Sequence, residues 1–219
     1  MTRGAFITLE GGEGAGKSTQ LRALAPVLTR MGYDVLTTRE PGGSPAAEAL
    51  RELLLFGGVA FSLRAEIMAH FAARCDHVDN VIRPAIEAGR IVLCDRFFDS
   101  TMAYQGYGQG RADPDVLALI ARLSREVGLV PDITILFEVA PAIGRRRIEA
   151  RAAAVTGGVA TLDRYEQADP SFHLRVAEGF AAVASSEPGR FLRVSSDADS
   201  PETITAAVAS RIESFLKAR

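Results

Sequence analysis

Eight residues near the amino end of the chain combine the residue types that bind a phosphate group. Residues 11–18 read Gly-Gly-Glu-Gly-Ala-Gly-Lys-Ser, which matches the pattern G-x-x-x-x-G-K-[ST]. Glycines let the backbone curve around an anion, so that successive N–H groups and the amino end of the following helix point at it. Lys17 adds a positive charge, and Ser18 offers a hydroxyl to Mg²⁺. The expected binding loop for a nucleoside triphosphate comprises Gly11, Gly12, Glu13, Gly14, Ala15, Gly16, Lys17, Ser18 and Thr19.

One carboxylate is placed to hold the metal ion that accompanies a triphosphate. Asp95 directly follows the apolar, strand-like run 91–94, where an acidic ligand of Mg²⁺ is expected in such a site. We therefore assign the metal to Ser18 and Asp95. Arg96 comes next, and its planar guanidinium could hold a second anion through two hydrogen bonds. In the structural alternative, Asp95 and Arg96 only neutralise one another.

Further arginines and aromatic side chains suggest a second ligand. Arg39 and Arg51 occupy motif-like positions after the first helix. Phe71 and Arg74 are three residues apart, so on a helix they share a face, where an aromatic plane and a donor fork can bind one flat polar ligand. Taken alone, each could be a core aromatic residue or a solvated charge. Residues 100–108, Ser-Thr-Met-Ala-Tyr-Gln-Gly-Tyr-Gly, could hydrogen-bond a base or a sugar, or could form a turn with satisfied hydroxyls.

Five short apolar runs alternate with helical stretches of ten or more residues, which is typical of an α/β protein with a parallel sheet. The runs are residues 5–9, 34–38, 91–94, 133–138 and 190–194. We expect one domain, residues 1–219, with five parallel strands flanked by helices and with ligands at the carboxyl ends of the strands. Capping pairs predict helix starts at Pro114, Pro170 and Pro201. Pro26 predicts a kink or an early break in the helix after the loop.

Residues 152–162 do not look like a packed element, because small residues and glycines predominate there. Arginines flank them on both sides, at residues 145–147, Arg151 and Arg164. This arrangement is typical of a mobile lid that closes over phosphate groups, here at about residues 145–164. The alternative is an ordinary surface loop.

Charge, hydropathy and cysteine content narrow the class of protein. The 219 residues carry a formal net charge of −2 and have a pI of about 6.0, so we expect no nucleic-acid polymer as a partner. There is no membrane-length apolar run and no signal-peptide pattern, which predicts a cytoplasmic protein without a membrane partner. Cys75 and Cys94 lack the spacing of a zinc site or a disulfide framework. His70, His77 and His173 show no partner pattern, and we interpret them as structural.

Several short motifs follow one another along nearly the whole chain. They are residues 10–19 (Glu-Gly-Gly-Glu-Gly-Ala-Gly-Lys-Ser-Thr), 38–43 (Thr-Arg-Glu-Pro-Gly-Gly), 71–74 (Phe-Ala-Ala-Arg), 81–85 (Val-Ile-Arg-Pro-Ala), 95–97 (Asp-Arg-Phe), 100–106 (Ser-Thr, then Ala-Tyr-Gln-Gly) and 162–166 (Leu-Asp-Arg-Tyr-Glu). Together they resemble the bacterial-type thymidylate kinase family. The resemblance implies a P-loop NTPase fold with a mobile lid, Mg²⁺-dependent transfer of a phosphoryl group from ATP to dTMP, and a homodimer formed through helices near residues 64–88.

The same resemblance assigns roles in binding the base. It implies that Phe71 stacks on thymine and that Arg74 donates a hydrogen bond to a thymine carbonyl. Thr101 and Gln105, together with Ser100, are expected to complete the recognition of the base.

For the rest of dTMP, the resemblance implies two further groups of contacts. Arg51 and Arg96 are expected to hold the phosphate. Glu13 is expected to approach the 3′-hydroxyl of the deoxyribose, and Tyr104 to crowd the 2′ position and so disfavour ribonucleotides.

The resemblance also implies which residues act in catalysis. In this branch of the family the loop lacks an arginine, here at the position of Gly14, and the lid supplies one. Arg151 is the first candidate, followed by Arg147 and Arg146. The expected catalytic set is Lys17, Asp95, Arg96 and Arg151.

Two other functional classes are compatible with the phosphate-binding loop. One is a P-loop kinase for another nucleotide or small molecule, such as AMP. The other is a P-loop regulatory NTPase. A guanine-specific switch would need an Asn-Lys-x-Asp element, and the two lysines of the chain, Lys17 and Lys217, do not form one.

Overall fold

A computed structural model describes residues 4–58, 60–154, 163–197 and 199–218, and its centre is a five-stranded parallel sheet. The strands are β1 (Ala5–Glu10), β2 (Val35–Arg39), β3 (Ile91–Asp95), β4 (Ile133–Glu138) and β5 (Phe191–Ser195). Their order across the sheet is β2-β3-β1-β4-β5. Each apolar run predicted as a strand forms one, with bounds that differ by at most one residue.

Helices cover both faces of this sheet. They are α1 (Lys17–Arg30), α2 (Pro45–Phe56), α3 (Leu63–His77), α4 (Arg83–Glu87), α5 (Phe98–Thr101), α6 (Pro114–Val127), α7 (Pro141–Ala153), α8 (Pro170–Ser186) and α9 (Pro201–Lys217). Turns with π-helical hydrogen bonding, Val78–Ile82 and Met102–Gln109, continue α3 and α5. Within the described part of the chain, no helix is long and apolar enough to cross a membrane.

The three predicted helix starts are confirmed. Asp113, Asp169 and Ser200 each accept a hydrogen bond from a backbone N–H of the first turn of the helix that follows, which satisfies a donor that the helix leaves free. The prediction of an early break at Pro26 was wrong, because α1 continues through Pro26 to Arg30. Leu24 and Leu28, on either side of the proline, are fully buried, so their packing holds the helix together.

The apolar core lies on both faces of the sheet. Phe6 of β1 packs with α3 and α6 on one face, and Ile7 and Leu9 pack against α1 and α9 on the other, since successive strand residues point to opposite sides. A third group of apolar side chains lies between the end of β4 and α8. The central strand β1 pairs with β3 so that Leu9 lies opposite Asp95. This register brings the loop after β1 next to the end of β3.

Candidate active site

A cleft of about 720 Å³ opens at the carboxyl ends of the strands. Most of the predicted site residues line it: Glu13, Gly14, Gly16, Lys17, Ser18, Thr19, Arg51, Arg74, Asp95, Arg96, Ser100, Thr101, Tyr104, Gln105 and Arg151. Gly11 and Gly12 line a neighbouring cavity behind the loop, and Ala15 and Phe71 are buried in the core. The fold therefore gathers side chains from distant parts of the sequence into a single site.

The loop between β1 and α1 needs glycine at specific positions. Gly11, Gly14 and Gly16 have positive φ angles of 139°, 72° and 89°, a region that side chains rarely adopt. A Cβ atom on Gly14 would lie 2.3 Å from the carbonyl oxygen of Gly144 in α7. The loop is therefore packed directly against α7, the helix that carries several arginines.

Lys17 spans this loop from the first turn of α1. Its buried ammonium donates hydrogen bonds to the carbonyl oxygens of Gly11 and Gly12 at 3.0 and 2.8 Å. Burial lowers the pKa of Lys17, and Arg96 lowers it further, although Glu13 opposes the change. The charge is held where a phosphate group placed inside the loop would neutralise it.

Ser18 and Asp95 meet at the start of α1. The Ser18 hydroxyl donates to Asp95 Oδ2 at 2.6 Å. Asp95 Oδ1 is buried, and no hydrogen-bond partner for it occurs within the described residues. A buried, unpaired carboxylate oxygen beside a hydroxyl fits a Mg²⁺ ion, which takes few protein ligands and completes its shell with water and phosphate oxygens. The two predicted metal ligands therefore lie together with unused coordinating capacity.

Arg96 lies between the loop and the far half of the cleft, and its φ angle of 72° is unusual for a residue with a side chain. The guanidinium donates to the Gly11 carbonyl at 3.2 Å, to Ser100 Oγ at 3.1 Å and to Glu13 Oε1 at 2.5 Å. It also donates to the Tyr104 hydroxyl at 3.1 Å. Arg96 is thus fixed by the groups around it, and such a residue adds little reorganisation when an anion binds.

Glu13 and Tyr104 are held by the same arginine. The Tyr104 hydroxyl donates to Glu13 Oε1 at 2.8 Å. Burial by itself raises the pKa of Glu13, but the charges of Arg96 and Lys17 outweigh it and lower this pKa to about 2. Glu13 is therefore an anionic hydrogen-bond acceptor at neutral pH.

Glu10, the last residue of β1, holds the segment after β3 in place. Its carboxyl group accepts hydrogen bonds from the Phe97 backbone N–H at 2.7 Å and from Ser100 Oγ at 2.6 Å. Burial, together with the charge of Asp99, raises the pKa of Glu10 to about 8. Sequence reasoning quoted Glu10 within a motif but gave it no role.

Arg74 forms the floor of the far half of the cleft. Its guanidinium lies 4.7 Å from the centre of the Phe71 ring, so the predicted shared face is confirmed. Nε donates to Glu40 at 2.7 Å and Nη2 donates to Thr101 at 3.1 Å. Nη1 is buried without a hydrogen-bond partner among the described residues. Arg74 thus offers one free donor in a buried position.

Glu40 and His77 support Arg74 from behind. Glu40 uses one carboxylate oxygen for Arg74 and the other for His77 Nδ1, at 3.0 Å. His77 Nε2 lies 2.7 Å from Thr38 Oγ1, and the imidazole is fully buried. A Cβ atom on Gly43 would lie 2.2 Å from His77 Nε2. The glycine of the motif therefore makes room for this histidine, which is structural as expected and also positions the site.

Gln105 lies beside Arg74 in a second polar network. Its side-chain nitrogen donates to Glu66 Oε1 at 2.8 Å and to the Tyr165 hydroxyl at 2.7 Å. His70 Nε2 is 3.3 Å from the same hydroxyl. Burial, aided by the charge of Arg74, lowers the pKa of His70 to about 3, so His70 is neutral. Tyr165 lies in one of the sequence motifs but was given no role, and Glu66 was not predicted, since an acid within a helical pattern carries no distinct signal.

Two arginines of α7 have different partners. Arg147 donates to the Gly14 carbonyl at 3.2 Å and to the Ser196 carbonyl at 2.6 Å. Arg151 lines the cleft and forms an ion pair with Glu166, with its side chain 60% exposed. Of the predicted lid, residues 155–162 lie outside the described part of the chain.

Arg51 is a further cationic group in the cleft. It donates to the Pro41 carbonyl at 2.8 Å. Arg39 lines the same wall and pairs with Glu48 at 3.1 Å. Guanidinium groups from β2, α2, α3, α7 and the segment after β3 thus face the phosphate-binding loop across one cleft.

This combination defines the class of protein. A glycine-rich phosphate loop after β1, an acid at the end of the adjacent parallel strand and a cluster of arginines opposite are the parts of a P-loop nucleotide kinase. A sequence model of the thymidylate kinase family matches residues 9–207. The chain therefore belongs to the thymidylate kinase family.

Individual relatives agree with this assignment. The chain is 51% identical over 214 residues to thymidylate kinase of Gluconobacter oxydans, an alignment that covers 98% of this chain and 96% of the relative. It is 47% identical over 211 residues to the enzyme of Caulobacter vibrioides, with 95% of each covered. The crystal structure of thymidylate kinase from Ehrlichia chaffeensis matches with a TM-score of 0.74 at 32% identity, over 97% of this chain and 99% of that one. The P-loop NTPase fold expected from the sequence is confirmed.

Proposed function

We propose that the cleft transfers the γ-phosphoryl group of ATP to a 5′-phosphate oxygen of dTMP, giving dTDP and ADP. Family membership identifies the reaction as thymidylate phosphorylation. The observation that carries the residue assignment is the position of Arg96. It reaches the Gly11 carbonyl on the donor side and Tyr104 on the acceptor side, so that one guanidinium borders both nucleotide positions.

The free groups at the floor of the cleft match the edge of thymine. Arg74 Nη1 is an unpaired donor, and Gln105 has its nitrogen already occupied, so that its oxygen is the end left to accept. Thymine presents an acceptor at O4 beside a donor at N3–H, and cytosine presents the reverse order. This donor and acceptor pair therefore supports a thymine or uracil base, with Thr101 holding Arg74 in place. Stacking of Phe71 on the base stays a prediction, since its side chain is 3% exposed and its ring lies 4.7 Å from the Arg74 guanidinium.

Glu13 and Tyr104 are assigned to the sugar. Glu13 is an acceptor at neutral pH and lies in the cleft beside the Tyr104 hydroxyl. A 3′-hydroxyl can donate to this carboxylate, and the tyrosine ring fills space that a 2′-hydroxyl would need. The pair favours a deoxyribonucleotide.

The reaction needs little covalent help from the protein. The attacking group is a phosphate oxygen that is already anionic at neutral pH, so catalysis consists of positioning and charge neutralisation. Lys17 and the loop would hold the donor phosphates. Arg51 and Arg96 would hold the acceptor phosphate and keep it in line, and Ser100 accepts a hydrogen bond from Arg96 and so helps to hold its guanidinium.

Ser18 and Asp95 are assigned to Mg²⁺. When bound, the ion neutralises charge on the oxygens of the donor phosphates. The assignment rests on the 2.6 Å contact between the two side chains and on the unpaired Asp95 Oδ1.

Arg151 is the lid arginine that we assign to the transferred phosphoryl group. Arg147 is already used, because it joins the Gly14 carbonyl to the Ser196 carbonyl. Arg151 pairs with Glu166, and its own side chain is 60% exposed, so it can move toward the phosphates while Glu166 keeps the hydrogen bond from the Asp163 backbone N–H. Arg146 is exposed on α7 and remains the third candidate.

An acceptor comparison tests this function. The purified chain is incubated with ATP, Mg²⁺ and one of dTMP, dUMP, dCMP or AMP, and the diphosphate products are separated by chromatography. We expect dTDP as the main product, far less from dCMP and none from AMP. Preference for AMP would support the alternative P-loop kinase, and ATP hydrolysis without any acceptor product would support a regulatory NTPase.

The assembly and location that we propose are a homodimer in the cytoplasm. Leu53 and Phe56 of α2 and Met68 of α3 are large apolar side chains that are 41–46% exposed, which supports an interface on these helices. Cys75 and Cys94 are free thiols, as is usual in a reducing compartment. Sedimentation of the wild type and of Met68→Asp tests the dimer, which we expect the substitution to weaken.

A further inference from the structure

Glu66 of α3 is a buried carboxylate, 2% exposed, that receives donors from two separate segments, Met102–Gln109 and residues 164–165. Its Oε1 accepts from Gln105 Nε2 at 2.8 Å, from Gln109 Nε2 at 2.7 Å and from the Tyr165 hydroxyl at 2.9 Å. Its Oε2 pairs with Arg164. Burial raises the pKa of Glu66, but its hydrogen bonds with Arg164 and Gln105 outweigh this and lower the pKa. The group is therefore an anion, which can only accept hydrogen bonds.

This anion decides which end of the Gln105 amide faces the cleft. An amide has a donor end and an acceptor end, and turning it over exchanges them. With the nitrogen toward Glu66, both contacts of Gln105 are favourable, since the Tyr165 hydroxyl donates to Glu66 and can accept from Gln105. In the opposite orientation the amide oxygen would face the carboxylate without a proton between them. Two buried acceptors in contact are costly.

We propose that Glu66 is the positioning residue that makes this site select thymine over cytosine, because it fixes the Gln105 amide with its oxygen toward the base. The inference deepens the proposed function and rests on it. Arg74 supplies the donor of the recognition pair through its own ion pair with Glu40. Glu66 supplies the acceptor indirectly, by occupying the nitrogen of Gln105.

The test is Glu66→Gln, which keeps the shape of the side chain. Unlike the carboxylate, the new amide can also donate, so Gln105 no longer has to present its nitrogen to position 66. Gln105 can then turn over and offer its nitrogen to N3 of cytosine. We expect the ratio of kcat/KM for dTMP to kcat/KM for dCMP to fall at least tenfold, while KM for ATP changes less than twofold. A purely structural role of Glu66 would lower kcat/KM for both acceptors by the same factor, and an unchanged ratio would overturn the proposal.

Two further variants control this experiment. Gln109→Ala removes another donor to Glu66 Oε1 but no group that lines the cleft, and we expect its acceptor ratio to stay within twofold of the wild type. The double variant Glu66→Gln with Gln105→Glu exchanges the two side chains. The carboxylate at position 105 then places an acceptor beside the base again, and the amide at position 66 donates to it. Recovery of the preference for dTMP in this double variant supports the orientation mechanism, and failure to recover it in a folded protein contradicts it.

Failure of the inference is distinguishable from failure of the proposed function. If the wild type uses dTMP and Glu66→Gln keeps the wild-type ratio, the cleft is a thymidylate site in which Glu66 does not orient Gln105. If the wild type itself does not discriminate between dTMP and dCMP, the assignment of Arg74 and Gln105 to the base is wrong, and the role of Glu66 is excluded with it.

Discussion

The two halves of the cleft are built in different ways. On the proposed donor side, the groups assigned to the phosphates come from a short continuous segment of backbone groups, positive-φ glycines and Lys17. On the proposed acceptor side, the side chains assigned to the base are held by buried partners from elsewhere in the chain, as Arg74 is by Glu40 and Gln105 by Glu66. Binding of a phosphate chain therefore needs a local backbone shape, whereas the choice of a base needs support from distant parts of the chain.

Removal of the lid arginine should have the largest effect, because it acts on both halves at once. We expect Arg151→Ala to lower kcat by roughly 10³-fold or more, as is typical for an arginine that stabilises phosphoryl transfer. KM for dTMP should change little. Steady-state kinetics with both substrates varied measures this effect.

Arg145→Ala is the matched control on the same helix, since Arg145 pairs with Glu149 and does not line the cleft. We expect its kcat to stay within twofold of the wild type. Near-normal turnover in the Arg151 variant would remove Arg151 from the mechanism and leave Arg146 or Arg147 as the lid arginine.

Arg74→Lys tests whether the acceptor side depends on a fork-shaped donor. Lysine keeps the charge near Glu40 but cannot reach Glu40, Thr101 and the base together. We expect KM for dTMP to rise by about 10- to 100-fold, which corresponds to about 1–3 kcal/mol for a buried group left without its partner. KM for ATP should be nearly unchanged.

Exposed Arg193, which pairs with Glu138, provides the comparison for Arg74. Arg193→Lys should leave both KM values as they are. If KM for ATP and KM for dTMP rise equally in Arg74→Lys, Arg74 does not act on the acceptor side alone, which would contradict the division of the cleft into two halves.

Gly144→Ala tests the backbone construction of the donor side. A Cβ atom there would lie 2.7 Å from the Glu13 carbonyl oxygen, so the loop must shift away from α7. Such overpacking costs about 1–3 kcal/mol, and we expect KM for ATP to rise roughly tenfold, which is about 1.4 kcal/mol. Gly189→Ala is the control, because among the described residues no atom other than those of its chain neighbours lies within 4 Å of its Cβ position. A similar KM in both variants would argue against the loop contact.

The smallest effect concerns pH and the pair of Glu13 with Arg96. The pKa of Glu13 is lowered from 4.5 to about 2 in the folded protein, so its contribution to stability is present above pH 4.5 and is lost as the pH falls toward 2. Between pH 5.5 and 3.5 the loss should be about 1 kcal/mol. Urea unfolding at these two pH values should show a smaller acid loss for Glu13→Gln than for the wild type. Equal losses would mean that Glu13 is not held as an anion.

The placement of the residues on the proposed donor side was almost completely predictable from the sequence, because these residues are close together in it. The loop, Lys17 and Ser18 lie within one motif, and Asp95 directly follows a recognisable strand. The strands were also predictable, since alternation of apolar runs and helices is a property of neighbouring residues.

The acceptor side was only partly predictable. Spacing placed Phe71 and Arg74 on one helical face, but it could not show that Arg74 covers the Phe71 ring or that one of its nitrogens is unpaired. The contacts of Glu40, His77 and Glu66 span 34 to 99 residues of sequence, and these residue types also occur on solvated surfaces. Residues 100–108, for which composition left a turn open, became a helix with π-helical hydrogen bonding that carries Tyr104 and Gln105.

The most direct test of the account is calorimetric binding of a compound in which adenosine and thymidine are joined through five phosphates. If both nucleotides bind tip to tip in one cleft, the linked compound should bind at least about 100-fold more tightly than ATP or dTMP alone, as expected when two sites are occupied by one molecule. Binding no tighter than that of ATP alone would contradict the single shared cleft on which the proposed function depends.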